Sequence, residues 1–372
     1  GDAYVQQGKL DQAAGAYEQS LAIEDSALAR SQLASVYWQQ GDVEQAIAQY
    51  EQAVALDPAQ PRVQVRLAGL YASQGRLAEA EAAYRAALSI DPENADALAG
   101  LAGAAYRQCS VNTAVQSMAA AAALAPGYRG TLATFYEAQG RSADAEALYA
   151  ELDQAPAEDI FAHLAVADYL VRSGRLDEAA QSYQQILEAG SAPPGLVTSL
   201  VHNALGQIDY TQERLFAAGG EFEQALAAFP ANVDAQAGLG DLALRAGDVQ
   251  QALAAYDAAL AGVPQYLAGL PAENASLTGV FLQVRRSLAL AQQGDAAAAA
   301  AALEEALALA KAAVALTPRS PLAQFALATA HLARGESVEA EAAFARAGEC
   351  DQSLVAARGR LEQGLASLQA GE

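Results

Sequence analysis

The chain has 372 residues, of which 53% are hydrophobic but only 6% aromatic, and its formal net charge is −23. Runs of β-branched residues are rare and alternation with a period of two is absent, which argues against a fold rich in strands. Alanine, the best helix former, supplies much of the apolar content. The negative charge repels nucleic-acid phosphates and anionic membranes at long range. We therefore expect a soluble, all-α protein without a nucleic-acid partner.

Two long uncharged stretches, 108–128 and 189–208, are the places where a membrane span would have to lie. Prolines and polar residues interrupt both, so we expect no direct membrane insertion in this sequence. No signal peptide is recognisable. The compartment stays open: cytoplasmic, or periplasmic or cell-envelope if an upstream segment carries a signal or an anchor.

A repeat runs through the chain from its start. The stretch QLASVYWQQGDVEQAIAQYEQAVALDP at 32–58 has the same pattern as RLAGLYASQGRLAEAEAAYRAALSIDP at 66–92 and GLGDLALRAGDVQQALAAYDAALAGVP at 238–264. The pattern centres on a glycine, which permits a tight turn between two helices. In chain order the ten predicted turn residues are Gly8, Gly41, Gly75, Cys109, Gly140, Gly174, Glu213, Gly247, Gly294 and Gly335.

Each turn residue is followed five positions later by an alanine and nine positions later by a large side chain. Alanine lets the second helix of a repeat approach the first closely, and the large residue fills the remaining gap. Proline then ends the second helix. It does so at Pro58, Pro92, Pro126, Pro230 and Pro264. One helix pair cannot bury its own apolar faces, so neighbouring pairs must stack into a continuous core.

The pattern resembles the tetratricopeptide repeat family, whose repeat has 34 residues. The resemblance covers nearly the whole chain and implies an all-α, right-handed superhelical solenoid of stacked antiparallel helix pairs. We expect repeats 1–6 in residues 1–189, repeats 7–10 in 190–352 and a capping helix in 353–372, as one continuous solenoid. Gly1 and Tyr4 match the middle of a first helix, so we expect the sequence to be a fragment of a longer chain.

Four features depart from the regular repeat. Extra residues occur at 189–195, and Glu213 with Gly219-Gly220 predicts local disorder or a bend in repeat 7. An excess at 261–279 is either a loop that contacts a partner or a tolerated insertion. Repeat 9 has a second helix about two turns longer than usual, which keeps its apolar face in phase.

The sequence contains no pattern typical of catalysis or of a cofactor site. His163, His202 and His331 fall at packing positions of the repeat, and pairs such as Glu304-Glu305 lie on solvated helix faces. Cys109 and Cys350 have no metal-ligand spacing. They lie about six repeats apart along an extended array, so we expect no bond between them within one molecule. We predict that the chain is not an enzyme and binds no cofactor or metal.

The family resemblance implies that the first helices line a concave groove that binds a protein or peptide. The groove residues predicted on this basis are Trp38, Arg62, Val65, Arg66, Tyr106, Arg107, Asn203, Tyr210, Phe281, Val284, Arg285 and Phe325. Trp38 is either a binding anchor or a packing residue. The arginines either hold a partner's carboxylates or belong to solvated helix faces. The apolar groove of repeats 9 and 10 suits a helix or an extended peptide.

The function we predict is a non-catalytic scaffold or adaptor in a larger assembly. Two alternatives stay open. Because a solenoid has open ends, the chain is alternatively a self-assembling structural protein that forms oligomers or filaments. It is also compatible with the targeting arm of a larger multidomain protein whose catalytic domain lies elsewhere.

Overall fold

The computed structural model describes residues 1–156, 158–189, 195–267 and 270–370, and all regular structure within these ranges is helical. The chain divides into two compact units. The first comprises Gly1–Gln108 and Thr113–Ala125. The second comprises Cys109–Asn112 and Pro126–Glu372. The boundaries between repeats predicted from the sequence stay predictions.

The first unit is a stack of antiparallel helix pairs. Its helices are α1 (Asp2–Gln6), α2 (Leu10–Ile23), α3 (Ala27–Gln39), α4 (Val43–Leu56), α5 (Pro61–Ser73), α6 (Leu77–Ile90), α7 (Ala95–Arg107) and α8 (Val111–Leu124), whose first two residues belong to the second unit. The first helices α3, α5 and α7 each begin beside a side chain or proline suited to a helix start. Ser26 Oγ accepts from Ala29 N–H, Asn94 Oδ1 accepts from Ala97 N–H, and Pro61 opens α5.

The second unit continues the same arrangement after a short 3₁₀ turn at Pro126–Tyr128. Its helices are α9 (Arg129–Ala138), α10 (Ser142–Leu152), α11 (Ile160–Arg172), α12 (Leu176–Glu188), α13 (Leu196–Thr211), α14 (Leu215–Ala228), α15 (Val233–Arg245), α16 (Val249–Tyr266), α17 (Ala272–Gln293), α18 (Ala296–Leu316), α19 (Pro321–Ala333), α20 (Ser337–Cys350) and α21 (Ser353–Ala370). α18 has 21 residues where α4 has 14, which confirms the two extra turns.

The ten predicted turn residues all have backbone angles in the left-handed region, with φ between 60° and 90°. Eight are glycines, which reach this region without a steric cost. Cys109 and Glu213 adopt it with φ of 60° and 61° although each carries a Cβ. Left-handed geometry costs roughly 1–2 kcal/mol for such residues, so two turns of this chain are strained.

The core of each repeat forms where its second helix crosses its first. All ten predicted alanines are at most 8% exposed, and the large residue four positions after each is buried, except Leu303, which is half-buried. Phe222 shows how tight this packing is, because it lies against Gly206 and Gly238 on two successive first helices. A Cβ on Gly238 would lie 2.5 Å from Phe222 Cζ. Glycine is therefore required at position 238 because no side chain fits beside Phe222, and not because the backbone turns there.

The structure corrects two expectations about the irregular segments. Pro264 does not end its helix, because α16 continues through it to Tyr266. Likewise α14 runs unbroken through Gly219 and Gly220, so no bend occurs in repeat 7. Most of segment 261–279 is helical, in the end of α16 and the start of α17. Residues 190–194 and 268–269 lie outside the described residues.

Substitution by alanine should change the free energy of unfolding in opposite directions at a tightly packed helix glycine and at one with open space around it. Gly238→Ala lowers the free energy of unfolding by about 1–2 kcal/mol, because overpacking against Phe222 outweighs the gain in helix propensity. Gly220→Ala is the matched control, since nothing lies within 4 Å of its Cβ position in α14. It raises the free energy of unfolding by up to about 1 kcal/mol. Urea unfolding followed by circular dichroism measures both, and equal shifts would contradict the packing described for Phe222.

Candidate functional site

The three histidines have structural contacts. His202 Nδ1 lies 2.7 Å from Glu221 Oε2, and His331 Nδ1 lies 2.6 Å from Glu336 Oε2. His163 Nε2 lies 3.2 Å from the carbonyl oxygen of Pro156. All three are partly buried, with contacts to their own or a neighbouring helix pair. Within the described ranges no cluster of three or more His, Cys, Asp or Glu residues has a geometry suited to a metal ion.

In the first unit, several predicted groove residues lie on the surface of successive first helices. Trp38 on α3 is 50% exposed, and Arg62 and Arg66 on α5 are exposed. Arg66 Nη1 lies 3.3 Å from both Ser35 Oγ and Tyr50 OH, which directs its guanidinium along the α3 side of α5. These side chains are therefore accessible to a partner.

A cleft of about 690 Å³ lies between α5 and the start of α7. Arg62, Val65 and Arg66 line one side, and the carboxylate-bearing residues Asp91, Glu93 and Asp96 line the other. Arg62 has no ion pair within the described part of the chain. The cleft thus presents both signs of charge to solvent.

Arg107 lies in a different environment from the other two arginines. It is only 7% exposed, and its Nη1 donates to the carbonyl oxygen of Ala72 at 2.6 Å. This hydrogen bond ties α7 to the last turn of α5, where helix carbonyls lack partners within their own helix. Arg107 is therefore used inside the fold and is not presented to a partner's carboxylate. Tyr106 beside it is half-buried.

In the second unit, the predicted groove residue Arg285 pairs with a buried acid. Asp241 on α15 is 5% exposed, accepts a hydrogen bond from Tyr256 OH at 2.8 Å and lies 3.2 Å from Arg285 Nε. Burial raises the pKa of Asp241, and the nearby Arg285 guanidinium opposes that rise. Tyr210 lies with its ring centroid 5.8 Å from the Arg245 guanidinium carbon. Arg285 is thus paired internally, and Asn203 is half-buried on α13.

The predicted apolar groove residues of the second unit are covered by the chain itself. Val284 and Phe325 are 2% and 5% exposed, and Phe281 is half-buried. Helix α21 supplies part of the cover, because Leu354, Ala357 and Leu361, like Phe281, pack on the cluster that contains Phe325. Further along α21, two more leucines pack on clusters built from α15 to α19: Leu365 on that of Val284, and Leu368 on that of Ala243 and Leu244.

Polar contacts hold α21 at both sides of this surface. Arg358 forms a two-pronged ion pair with Glu341 on α20, with Nη1 to Oε2 at 2.7 Å, and its guanidinium lies 4.9 Å from the Phe344 ring centroid. Arg360 Nη1 lies 3.4 Å from the Arg172 carbonyl oxygen at the end of α11. Just before the helix, Gln352 N–H donates to the carbonyl of Ala138, the last residue of α9, at 2.9 Å. α21 therefore contacts early and late helices of the unit.

Cys109 and Cys350 form a disulfide, with Cα atoms 5.1 Å apart. The expectation that they do not bond is wrong, because it assumed that distance in space follows distance along the array. Within the second unit, the corner between α20 and α21 instead lies beside Cys109 and the end of α9. The sequence held one signal for this pairing, since Cys109 replaces a glycine at a turn that glycine suits better.

Comparison with family models decides the identity of the repeat. A tetratricopeptide repeat model matches residues 1–61, 31–95, 203–266 and 284–354, and a second matches 71–130. The chain belongs to the tetratricopeptide repeat family. No curated protein matches the sequence. The all-α fold of stacked antiparallel helix pairs predicted from the sequence is thereby confirmed.

Solved structures share this fold at low sequence identity. The human IFIT1 dimer with m7Gppp-AAAA is 15% identical with a TM-score of 0.51, over 92% of this chain and 87% of that chain. A tetratricopeptide repeat protein from Parabacteroides merdae ATCC 43184 is 18% identical with a TM-score of 0.50, over 61% of this chain and 89% of that chain. These likenesses concern the fold alone, so the absence of a nucleic-acid partner stays a prediction. No described helix is long and apolar enough to cross a membrane.

The turn at Cys109 is both strained and disulfide-bonded. We therefore expect the wild type to be more stable than Cys109→Gly when oxidised and less stable than Cys109→Gly when reduced. In the oxidised tetratricopeptide protein, Cys350→Ser and Cys109→Gly both lower the free energy of unfolding of the second unit, by about 2–4 kcal/mol for a typical disulfide. After reduction with dithiothreitol, Cys109→Gly is more stable than the wild type by about 1 kcal/mol, because glycine relieves the left-handed strain.

Cys350→Ser is the matched control, since it removes the bond and leaves residue 109 unchanged. It should unfold like the reduced wild type under both conditions. Urea unfolding with and without dithiothreitol measures the order. A Cys350→Ser variant that unfolds like the oxidised wild type would contradict the disulfide.

Proposed function

We propose that the chain is a non-catalytic protein-interaction scaffold, and that the first unit carries its accessible partner-binding surface. This surface, the α3–α5–α7 face, consists of Trp38 on α3, Arg62, Val65 and Arg66 on α5, and Asp96 on α7, with the small residues between them. The tetratricopeptide family generally serves as such a scaffold. The observation that carries the proposal is that Trp38, Arg62 and Arg66 are exposed on successive helices, whereas α21 packs on the clusters that contain the corresponding apolar residues of the second unit.

The side chains of the α3–α5–α7 face suit an extended peptide segment. Trp38 offers a large, half-exposed apolar surface, and tryptophan is enriched among residues that dominate binding energy. Arg62, without an ion pair in the described structure, has a planar guanidinium that binds a carboxylate with two parallel hydrogen bonds. Small side chains at Ser31, Ser35 and Gly69 leave room for a backbone between them.

The cleft between α5 and α7 also limits the partner's charge. Asp91, Glu93 and Asp96 face the same space as Arg62 and Arg66, so a uniformly acidic segment would be repelled there. We therefore expect a segment with a carboxylate that pairs with Arg62 and a basic or neutral residue beside it. An apolar side chain of the same segment packs on Trp38.

Charge reversal on this face should abolish binding of the partner. The native tagged protein and its Arg62→Glu, Arg66→Glu double variant are isolated from the source organism after nuclease treatment, and copurifying proteins are quantified by mass spectrometry. We expect one foreign protein in fixed stoichiometry with the wild type and at least a tenfold loss with the double variant, because each reversal replaces attraction by repulsion.

The control is Lys9→Glu with Arg85→Glu, which changes the net charge equally at exposed positions in a turn and on α6. This control should retain the partner. Equal loss in both variants would show a general charge effect and contradict the proposed face. Recovery of the chain alone, in multiples of its mass, would support the self-assembling alternative. A partner that copurifies only when the nuclease is omitted would contradict the prediction that nucleic acid is not bound.

A further inference from the structure

We propose that the inner surface of α15, α17 and α19 is a binding groove for an amphipathic, basic helix of a partner protein, and that α21 is its built-in occupant. We call this surface the α15–α17–α19 groove, and its apolar residues are Phe281, Val284, Leu288 and Phe325. The proposal concerns the second unit and does not depend on the α3–α5–α7 face. Its failure would therefore leave the proposed function of the first unit untouched.

The way α21 lies in the groove defines what the groove accepts. Five residues of α21 pack on the apolar clusters of α15 to α20, and they are spaced by three, four, four and three positions: Leu354, Ala357, Leu361, Leu365 and Leu368. This spacing places them on one stripe of an α-helix. Val355, on another face of α21, is 64% exposed. A ligand must therefore be helical over about four turns and apolar along one stripe only.

The charges around the groove favour a basic helix. Arg358 reaches Glu341 on α20 with both Nη atoms and lies over the Phe344 ring. Arg360, two residues after Arg358 and on another face of α21, adds a second positive charge directed at the C-terminal carbonyl of α11. Helix C-termini attract cations, and the chain as a whole has a net charge of −23. We therefore expect the partner helix to carry a basic residue one position after the small residue that replaces Ala357.

α21 is a weak helix that can be displaced. Gly359 and Gly364 lie in its interior, and each costs up to about 1 kcal/mol relative to alanine. Neither glycine is required by packing, because a Cβ at either position would meet nothing within 4 Å. This differs from Gly206 and Gly238, which are needed to accommodate Phe222. Most of the stability of α21 therefore comes from docking in the groove.

The Cys109–Cys350 disulfide controls how firmly the occupant is held. Cys350 is the last residue of α20, three positions before the first residue of α21. The disulfide and the Gln352 N–H bond to Ala138 together fix the start of α21. A dithiol reductant would open the disulfide: each sulfur takes up one electron and one proton, and the dithiol becomes its own disulfide. Reduction should thus favour exchange of α21 for a partner helix.

The same tether argues against a second copy of this chain as the occupant. Only Asp351 and Gln352 separate α20 from α21, and Asp351 is 5% exposed. So short a connection gives α21 no length with which to reach the groove of another molecule. A displaced α21 would instead leave its own groove open to a separate helix.

Hydrogen exchange of the full-length wild type tests whether α21 detaches. We expect dithiothreitol to accelerate exchange at residues 353–370 at least tenfold more than it accelerates exchange of the amides of α11 to α19, which respond only to the lower stability of the whole unit. Cys350→Ser should reproduce this without reductant. Unchanged exchange in α21, or equal acceleration throughout the second unit, would overturn the proposal.

Peptide binding tests whether the groove accepts a helix. The probe is a fluorescein-labelled peptide with the sequence of residues 353–370, titrated by anisotropy against the full-length chain. We expect the reduced chain to bind it at least tenfold more tightly than the oxidised chain. A peptide with glutamate in place of the leucines at 361 and 365 should not bind. Equal affinity in both redox states, or no binding in either, would overturn the proposal.

A variant pair separates displacement of α21 from reduction itself. The oxidised full-length Leu361→Glu, Leu365→Glu variant should bind the peptide as tightly as the reduced wild type, because its own helix no longer covers the groove. Val355→Glu is the matched control on the exposed face and should behave like the oxidised wild type. Light scattering accompanies each titration. A reduced chain that doubles in mass while α21 stays protected would show exchange between copies and overturn the partner helix as occupant.

Discussion

The whole structure depends on the close crossing of the two helices in each repeat. A left-handed residue turns the chain, an alanine five positions later removes the bulk that would keep the helices apart, and a large residue four positions further fills the space beyond. Van der Waals attraction falls off steeply with distance, so all three conditions must be met together. Each repeat meets these three conditions with its own residues. Stacking of neighbouring repeats then only has to bury the apolar helix faces that the repeat leaves exposed.

Where the repeat is violated, another interaction compensates or the chain carries the strain. Cys109 occupies a glycine position and gains a disulfide to Cys350. Glu213 occupies another and gains only an exposed ion pair, 3.6 Å from Arg245, of a kind that contributes at most about 1 kcal/mol. The disulfide therefore compensates for the backbone strain at Cys109, whereas nothing in the structure accounts for Glu213.

The two units differ in how their inner surfaces are used. On the α3–α5–α7 face the side chains of Trp38 and Arg62 are exposed to solvent. In the α15–α17–α19 groove the corresponding surface is covered by α21, and Arg285 pairs with Asp241. An apolar groove left open would favour non-specific association, which an intramolecular helix prevents. As proposed, the same family surface serves recognition in one unit and regulated recognition in the other.

The sequence by itself determined the helix pairs, their turns and the residues that fill their cores, because these depend on contacts within about forty residues that repeat in phase. It also placed Trp38 and Arg62 on a surface, since helical periodicity assigns faces. It did not determine that Arg107 is buried, that Cys109 meets Cys350 or that α21 enters a groove. The Arg107 contact joins two neighbouring helix pairs. The contacts of Cys109 and of α21 join distant pairs, and their meeting depends on small rotations summed over many stacked pairs. Only the tertiary structure shows which distant residues these rotations bring together.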